Sequence, residues 1–299
     1  MRWKTRAIAM VVVVVLMAVS FVIPVSAISD DEVAAPSAIL MEPNTGKILY
    51  EKNANELRPC ASITKVMTLL LVMEAIDSGK ISLEDQVTAS AHAASMGGSD
   101  IWLKEGETMS VNDLIKATVI MSANDAAVVL AEHVYGTEDE FVKQMNIRAK
   151  QLGMNDTTFK NCNGLDEDGH LTTAHDVALM SAELIKHEKI FDYTLTWMDY
   201  VRDGETQLVN TNKLIRSYKG ITGLKTGTTS QAGSCISATA KRDNLSLVAV
   251  VLGCSTTDER FTSASTLLDY GFANFSFASL QMPELGTVPV TNGIQGEVQ

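Results

Sequence analysis

The chain has 299 residues, of which 46% are hydrophobic and 20% charged, an ordinary globular composition that fits one large domain or two smaller ones. Its formal net charge of −12 predicts a surface that repels nucleic acid and anionic lipid headgroups. The sequence also has no basic stripe with interleaved aromatic residues, so no nucleic-acid partner is expected.

Residues 1–27 have the features of a signal peptide. A basic start, MRWKTR, is followed by an apolar run from Ala7 to Val22 and by small residues that end at Ala27. The break at Pro24 favours a cleaved signal over an uncleaved membrane anchor. In either case we expect the rest of the chain to work outside the cytoplasm, in the cell envelope or secreted. Without this segment, 21 basic residues face 36 acidic ones, a net charge of −15.

The four cysteines are scattered along the chain, at Cys60, Cys162, Cys235 and Cys254. They contain no Cys-x-x-Cys pair, which argues against a zinc site and against a disulfide-dense scaffold. Cys235 and Cys254 could form a disulfide if their segments are neighbouring strands, but four small buried thiols are the preferred interpretation. We expect no metal ion and no other cofactor.

The first elements in chain order are a β-hairpin and a buried helix. Residues 37–41 and 47–50 flank the turn sequence at 43–46, which predicts two antiparallel strands. Residues 66–76 are apolar except for two positions, so this helix should be buried on most sides before it ends near Ser78. The run is too short to span a bilayer, which indicates a central core helix.

The middle of the chain is predicted to be mainly helical. Residues 113–121 and 125–132 form two helical runs on either side of a break at Ser122-Ala123-Asn124. Two amphipathic helices follow, at 138–152 and 173–187.

The last part of the chain returns to strands. Residues 220–224, 234–239 and 245–252 are predicted strands, and a helix at 258–272 follows them. Strands that enclose a helical middle predict an α+β fold, in which helices cover an antiparallel sheet beside a helical subdomain. The turn-rich residues 277–299 are interpreted as a linker or as the start of a truncated β domain.

A serine and a lysine lie three residues apart in the stretch PCASITKVM, at the start of the buried helix. Residues three apart share one helix face, so the amine of Lys65 can reach the hydroxyl of Ser62. A neutral Lys65 could take the hydroxyl proton while N–H groups at the helix start hold the oxyanion formed by attack on a carbonyl. The pair alone also fits an N-cap serine beside an exposed lysine, which is the commoner situation.

Two further polar elements follow. The side chains of Ser122-Ala123-Asn124 could point into a cleft or simply form a helix–helix turn, whereas the similar Ser110 directly precedes a helix and is interpreted as its cap. Lys225-Thr226-Gly227-Thr228 ends a predicted strand. There the glycine lets a substrate backbone approach, the lysine supplies a cation and the threonines supply hydroxyl donors for a carboxylate, although such a stretch alone is usually a turn.

Together these elements occur in the order Ser-x-x-Lys, Ser-x-Asn and Lys-Thr-Gly, the signature of penicillin-binding proteins and class A β-lactamases. From about Ala35 to Asn274, the sequence resembles the low-molecular-mass penicillin-binding proteins, the D-alanyl-D-alanine carboxypeptidases. Further similar segments are residues 124–127, 130–132, 159–165, 169–174, 210–214 and 229–233.

The resemblance implies a β-lactamase/transpeptidase-like fold over residues 28–276, with an antiparallel five-stranded sheet flanked by helices. It implies removal of the terminal D-alanine from peptidoglycan stem peptides ending in D-Ala-D-Ala, and inhibition by β-lactam antibiotics. Ser62 would be the acylated nucleophile and Lys65 its base. Ser122 and Asn124 would act as a proton shuttle and a substrate-orienting amide.

The same resemblance implies a carboxylate-binding end of the site. Lys225, Thr226, Gly227 and Thr228 would bind substrate, with the backbone N–H groups of Thr228 and of the nucleophile as the oxyanion hole. Arg260 falls where family members place an arginine for the terminal carboxylate, a task that suits a bidentate guanidinium.

Two departures from the family pattern stand out. Thr228 follows the Lys-Thr-Gly stretch where some relatives carry histidine, which would alter the rate or its pH dependence but keep the backbone donor. Relatives commonly continue into a small β-rich domain and a C-terminal amphipathic membrane helix. The chain either lacks this anchor naturally or is a fragment of a protein that associates with the membrane through its C-terminal region.

Three other kinds of site fit the sequence less well. A class A β-lactamase needs a Glu-x-x-Leu-Asn segment for deacylation, and none occurs between Ser122 and Lys225. A non-catalytic penicillin or peptidoglycan sensor would not need a base and a proton shuttle. His170 and His175 lack the His-Glu-x-x-His spacing of a metal site, and the first is interpreted as structural.

Overall fold

The computed structural model describes residues 28–278 and the backbone of two short strands near the C-terminus. The predicted signal peptide at 1–27 and most of the segment 277–299 lie outside the described residues. The strands are β1 (Ser37–Glu42), β2 (Lys47–Lys52), β3 (Gln86–Thr88), β4 (Thr108–Ser110), β5 (Met198–Val201), β6 (Thr206–Val209), β7 (Ile221–Thr229), β8 (Gly233–Arg242), β9 (Leu245–Cys254), β10 (Val288–Pro289) and β11 (Glu297–Val298). The α-helices are α1 (Lys65–Asp77), α2 (Ala91–Ala94), α3 (Val111–Lys116), α4 (Asn124–Tyr135), α5 (Glu138–Gln151), α6 (Ala174–Leu184), α7 (Phe191–Thr194), α8 (Leu214–Ser217) and α9 (Thr257–Asn274).

A five-stranded antiparallel sheet carries the fold, in the order β2-β1-β9-β8-β7. This confirms the α+β prediction and the N-terminal hairpin. Strand β7 is longer than predicted: it continues past Leu224 because its pairing with β8 extends as far as Thr229 opposite Gly233. The Lys-Thr-Gly stretch therefore lies within an edge strand and not at a strand end.

Helices cover both faces of this sheet. On one face α9 packs closely, since a Cβ atom added to Gly271 would lie only 2.5 Å from a methyl carbon of Leu247 on β9. On the other face lie α1 and α6, which contact each other. All residues of α1 from Lys65 to Met73 are buried, which confirms the predicted central core helix. This arrangement fixes the start of α1 against the sheet.

The helical subdomain contains the predicted break between two helical runs. Residues 117–121 form a turn of π-helix after α3, and Ser122 then adopts a left-handed conformation, with φ of +66°, before α4 begins. Ser110 caps α3 by accepting a hydrogen bond from the Asp113 N–H, as predicted. The short hairpins β3–β4 and β5–β6 in this part of the chain were not predicted.

All four cysteines are buried free thiols, so the alternative disulfide between Cys235 and Cys254 is absent although β8 and β9 are neighbours. Among residues 28–278, no cluster of three or more His, Cys, Asp or Glu side chains is placed to hold a metal ion. Within the same described part, no helix has the length and apolar character needed to span a membrane.

Candidate active site

Ser62 lies in a tight 3₁₀ turn, Ala61–Thr64, that leads directly into α1. The preceding Ala61 has φ of +50°, a left-handed conformation that is unfavourable for a residue with a Cβ atom. Two glycines pack against this turn. A Cβ atom on Gly164 would lie 2.0 Å from the Ala61 carbonyl oxygen, and one on Gly227 would lie 2.9 Å from the Ser62 nitrogen. The absence of side chains at both positions lets two other segments hold the serine turn in place.

Lys65 is completely buried behind Ser62. Its Nζ donates hydrogen bonds to Ser62 Oγ at 3.1 Å, to Asn124 Oδ1 at 2.5 Å and to the Asn163 carbonyl oxygen at 2.7 Å. Burial lowers the pKa of Lys65 to about 7, against the opposing effect of neighbouring groups that include the Asp100 carboxylate. Near neutral pH a substantial fraction of the amine is therefore unprotonated and able to accept a proton.

Asn124 and Ser122 lie at the start of α4, on the other side of the lysine. Asn124 accepts from Lys65 and donates from Nδ2 to the Gly97 carbonyl oxygen at 2.7 Å, so both ends of its amide are fixed. The hydroxyl oxygen of Ser122 is buried and has no hydrogen-bond partner within the part of the chain that the structure describes. A buried polar atom of this kind is left available for a bound molecule.

Two more basic side chains, Lys225 and Arg260, lie on the β7 side of the site. Lys225 is buried and its Nζ donates to the Thr226 carbonyl oxygen at 3.1 Å. Burial, with repulsion from Lys65 and Arg260, holds the pKa of Lys225 well below its usual value. Arg260, on α9, is 6% exposed and donates to the Gly227 carbonyl oxygen at 3.1 Å. A bound carboxylate would pair with the Arg260 guanidinium and favour the charged form of Lys225.

The threonine hydroxyls on β7 both have hydrogen-bond partners within the protein. Thr226 donates to Thr211 Oγ1 at 2.7 Å. Thr228 donates to the carbonyl oxygen of Gly227 at 2.8 Å and accepts from Arg260 at 2.8 Å. In this structure the two hydroxyls stabilise the strand and the arginine, while the backbone of β7 forms the edge beside Ser62.

The structure brings together Ser62, Lys65 and Asn124 by direct hydrogen bonds, and it places Lys225 and Arg260 close enough to influence each other electrostatically. Sequence reasoning missed the Asn163 carbonyl. A main-chain acceptor can be supplied by almost any residue type, so the sequence signal for it is weak. Its one trace is that Asn163-Gly164 lies within a segment similar to the family.

His170 has a structural environment, as predicted. Its Nδ1 accepts a hydrogen bond from the Lys160 N–H at 3.2 Å, and its Nε2 lies 2.8 Å from Thr64 Oγ1. Burial lowers the pKa of His170 to about 4, so the ring is neutral near pH 7 and its Nε2 donates to Thr64. His170 thereby ties the loop before α6 to the turn that carries Ser62.

Sequence comparison finds close relatives. The profile of the Peptidase_S11 family, described as D-alanyl-D-alanine carboxypeptidase, matches residues 24–256. The chain is 50% identical over 244 residues to the D-alanyl-D-alanine carboxypeptidase DacF of Bacillus subtilis, covering 81% of this chain and 63% of that protein. It is 37% identical over 273 residues to DacC of Escherichia coli, covering 87% of this chain and 68% of the relative. The chain thus spans about two thirds of the length of these relatives.

Solved structures show the same fold. Penicillin-binding protein D2 of Listeria monocytogenes, in its ampicillin-bound form, superposes with a TM-score of 0.74 at 36% identity, covering 80% of this chain and 98% of that one. Penicillin-binding protein 5 of Haemophilus influenzae gives a TM-score of 0.84 at 32% identity, covering 91% and 81%. Because the family profile matches most of this chain, the chain belongs to the D-alanyl-D-alanine carboxypeptidase family of serine peptidases.

Proposed function

We propose that the chain is a serine-type D-alanyl-D-alanine carboxypeptidase that removes the terminal D-alanine from peptidoglycan stem peptides. The observation that carries this proposal is the hydrogen bond from Lys65 Nζ to Ser62 Oγ, at a site with two further buried basic side chains, Lys225 and Arg260. Names of the relatives support the reaction class, since DacF and DacC are both D-alanyl-D-alanine carboxypeptidases.

Acylation starts with the neutral form of Lys65, which takes the proton of Ser62 as Oγ attacks the carbonyl carbon of the penultimate D-alanine. The oxyanion that forms accepts hydrogen bonds from the backbone N–H groups of Ser62 and Thr228. The C–N bond then breaks, and a proton from the Lys65 ammonium passes through Ser122 to the departing amine. The terminal D-alanine leaves with a neutral amino group and an ionised carboxylate.

The second half-reaction restores the enzyme. Water loses a proton to Lys65 and attacks the Ser62 ester, and collapse of the tetrahedral intermediate returns the proton to Ser62 Oγ. Asn124 orients the substrate amide and the lysine throughout. Arg260 and Lys225 hold the terminal carboxylate before the first step, because the anion pairs with the guanidinium and favours the charged form of the lysine. Within the described part of the protein neither side chain forms a salt bridge.

β-Lactams would enter the same path at the first step. Attack by Ser62 Oγ opens the lactam ring, and the nitrogen that leaves the carbonyl remains tethered to the acyl group, so it cannot diffuse away. Without a dedicated deacylating carboxylate the ester persists and the antibiotic acts as an inhibitor. An ampicillin-bound relative supports this assignment.

We further propose an extracytoplasmic location. The support is the basic start, the apolar run and the small residues ending at Ala27, which together favour export and cleavage. A reaction on peptidoglycan requires the same compartment. Membrane association through a C-terminal region beyond the catalytic domain is proposed by analogy with family members, which commonly carry one.

The test combines two substrates with one variant. We expect the purified protein to release D-alanine from a diacetylated Lys-D-Ala-D-Ala peptide and to open a chromogenic cephalosporin only once per molecule, and Ser62→Ala to do neither. Sustained cephalosporin turnover would indicate a β-lactamase instead. Stable labelling by penicillin without D-alanine release would indicate a sensor.

A further inference from the structure

A carboxylate outside the three sequence motifs is connected to the lysine base through one short segment of backbone. Glu138 is the first residue of α5, and its side chain is 13% exposed. Its Oε1 accepts a hydrogen bond from the backbone N–H of Cys162 at 2.9 Å, and its Oε2 lies 2.7 Å from Nε2 of His92. An ionised acceptor makes such a bond stronger than one between neutral groups.

The other backbone polar group of Cys162 is also held. The hydroxyl of Thr68, one turn after Lys65 on α1, donates to the Cys162 carbonyl oxygen at 2.5 Å. Glu138 and Thr68 therefore fix Cys162 from both sides. The next carbonyl along the chain, that of Asn163, is the one that accepts from Lys65 Nζ at 2.7 Å.

His92, the partner of Glu138, lies on a segment that contacts Lys65 indirectly, through Asn124. His92 is on α2, and the loop after α2 supplies the Gly97 carbonyl that accepts from Asn124 Nδ2. The Oδ1 atom of that asparagine accepts from Lys65. The pair between His92 and Glu138 thus links the segment that supplies the Asn163 carbonyl to the segment that holds the Asn124 amide.

We propose that Glu138 is a positioning residue for acyl transfer, whose carboxylate holds the backbone at Cys162 so that the Asn163 carbonyl stays directed at Lys65 Nζ. This inference rests on the proposed function, since it assigns Lys65 as the base. With the amine held by Asn163 and Asn124, its remaining hydrogen bond is directed to Ser62 Oγ. If the backbone at Cys162 is released, the amine loses one acceptor and with it part of its orientation.

Two consequences separate this role from a merely structural one. A carbonyl acceptor favours the charged amine, so its loss lowers the pKa of Lys65 and moves the rise of acylation with pH to lower pH. The charged groups that also act on this amine, namely Asp100, Asp125 and Lys225, are retained in the variant. The Cys162 thiol is uncharged near neutral pH, because burial raises its pKa well above the usual value. Loss of orientation lowers the rate constant per active molecule, by on the order of tenfold to a hundredfold for a lost hydrogen bond to a charged group.

The experiment measures acylation by a fluorescent penicillin in wild type, Glu138→Ala, Glu138→Gln and the control Glu140→Ala. Glu140 lies in the first turn of the same helix and pairs with exposed Lys143. The amount of label gives the number of active molecules, and the rate constant is then taken per labelled site over a range of pH. We expect a lower acylation rate constant for Glu138→Ala, with its pH midpoint shifted to lower pH. For Glu138→Gln, whose amide oxygen still accepts from the Cys162 N–H, we expect a rate constant close to that of wild type. For the control Glu140→Ala we expect no change in either quantity.

A Glu138→Ala protein that labels at the wild-type rate, with the wild-type pH midpoint, would overturn the proposal. So would a variant in which only the fraction of labelled molecules falls, because that result indicates a folding role alone. If Glu138→Ala does not fold, the test rests on Glu138→Gln. A folded Glu138→Gln protein whose acylation rate constant is reduced by about tenfold or more would contradict the acceptor role. Failure of wild type itself to label would refute the proposed function and is distinguishable from these outcomes.

Discussion

The side-chain nitrogen of Lys65 lies 3.1 Å from the hydroxyl oxygen of Ser62, three residues earlier in the chain, and burial lowers the pKa of this amine to about 7. The acylation rate constant should therefore rise with pH as the lysine loses its proton, with a midpoint near 7, and fall about tenfold per pH unit well below it. Stopped-flow acylation by a β-lactam from pH 5 to 9 measures this. Lys65→Arg, which stays charged, should show almost no acylation, and a wild-type profile that is flat through pH 7 would exclude Lys65 as the titrating base.

Gly227 allows strand β7 to approach the serine turn. A Cβ atom there would lie 2.8 Å from the Cys60 carbonyl oxygen and 2.9 Å from the Ser62 nitrogen, both of which are backbone atoms that cannot rotate away. We expect Gly227→Ala to separate the turn from the strand and to reduce acylation by roughly a hundredfold, because small displacements of reacting groups are costly. The measurement is the acylation rate constant of protein shown by circular dichroism to be folded. A folded variant with wild-type acylation would mean that this close approach is not needed.

Lys225 should take up a proton when an anionic ligand binds. Burial and two neighbouring cations keep its pKa well below the usual value, and a carboxylate placed beside it would raise that pKa again. At mildly alkaline pH, binding of a D-Ala-D-Ala peptide to the unreactive Ser62→Ala protein should therefore consume protons. Calorimetry in buffers of different ionisation enthalpy measures the number of protons taken up per peptide bound. Adding Lys225→Arg should remove the uptake, and equal uptake in both proteins would show that another group is responsible.

His170 should make the fold sensitive to mild acid. Its pKa is about 4 in the folded protein, whereas an unperturbed histidine has a pKa near 6.5. The unfolded chain thus binds more protons between these values, and the free energy of unfolding decreases as pH falls from 6.5, by up to about 3 kcal/mol below pH 4. Urea unfolding at pH 7 and pH 4.5 should show a smaller decrease for His170→Gln, whose amide can keep both hydrogen bonds. The same decrease in both proteins would assign the acid sensitivity to other groups.

Much of the fold follows from local patterns in the sequence. The helix from Lys65 to Asp77 was predictable because an apolar run of this length has no polar face. The strands β8 and β9 were predictable because two short runs of small and apolar residues flank the turn sequence at 242–244. The extent of β7 was not predictable, since glycine and lysine are poor strand formers and only the pairing with β8 extends it to Thr229. The hairpins β3–β4 and β5–β6 have strands of three or four residues, too short to show a period.

The contacts of the candidate site were also only partly predictable from the sequence. Spacing indicated that Ser62 and Lys65 can meet, and the structure shows that they do. The Asn163 carbonyl and the contact of Glu138 with Cys162 depend on how distant segments meet. For the Asn163 carbonyl the only sequence indication is the similarity of its segment to the family, and the contact of Glu138 with Cys162 has no local sequence signal. The roles of the motif residues in catalysis stay predictions until a reaction is measured.

The most direct test of the central claim is the site of covalent attachment of penicillin. Intact-protein mass spectrometry after incubation with benzylpenicillin should show one adduct with the full mass of the antibiotic, and peptide mapping should locate it on Ser62. The adduct should be absent from Ser62→Ala and should persist for many minutes after the antibiotic is removed. An adduct on another residue, or no adduct on a folded wild-type protein, would contradict the assignment of Ser62 as the nucleophile.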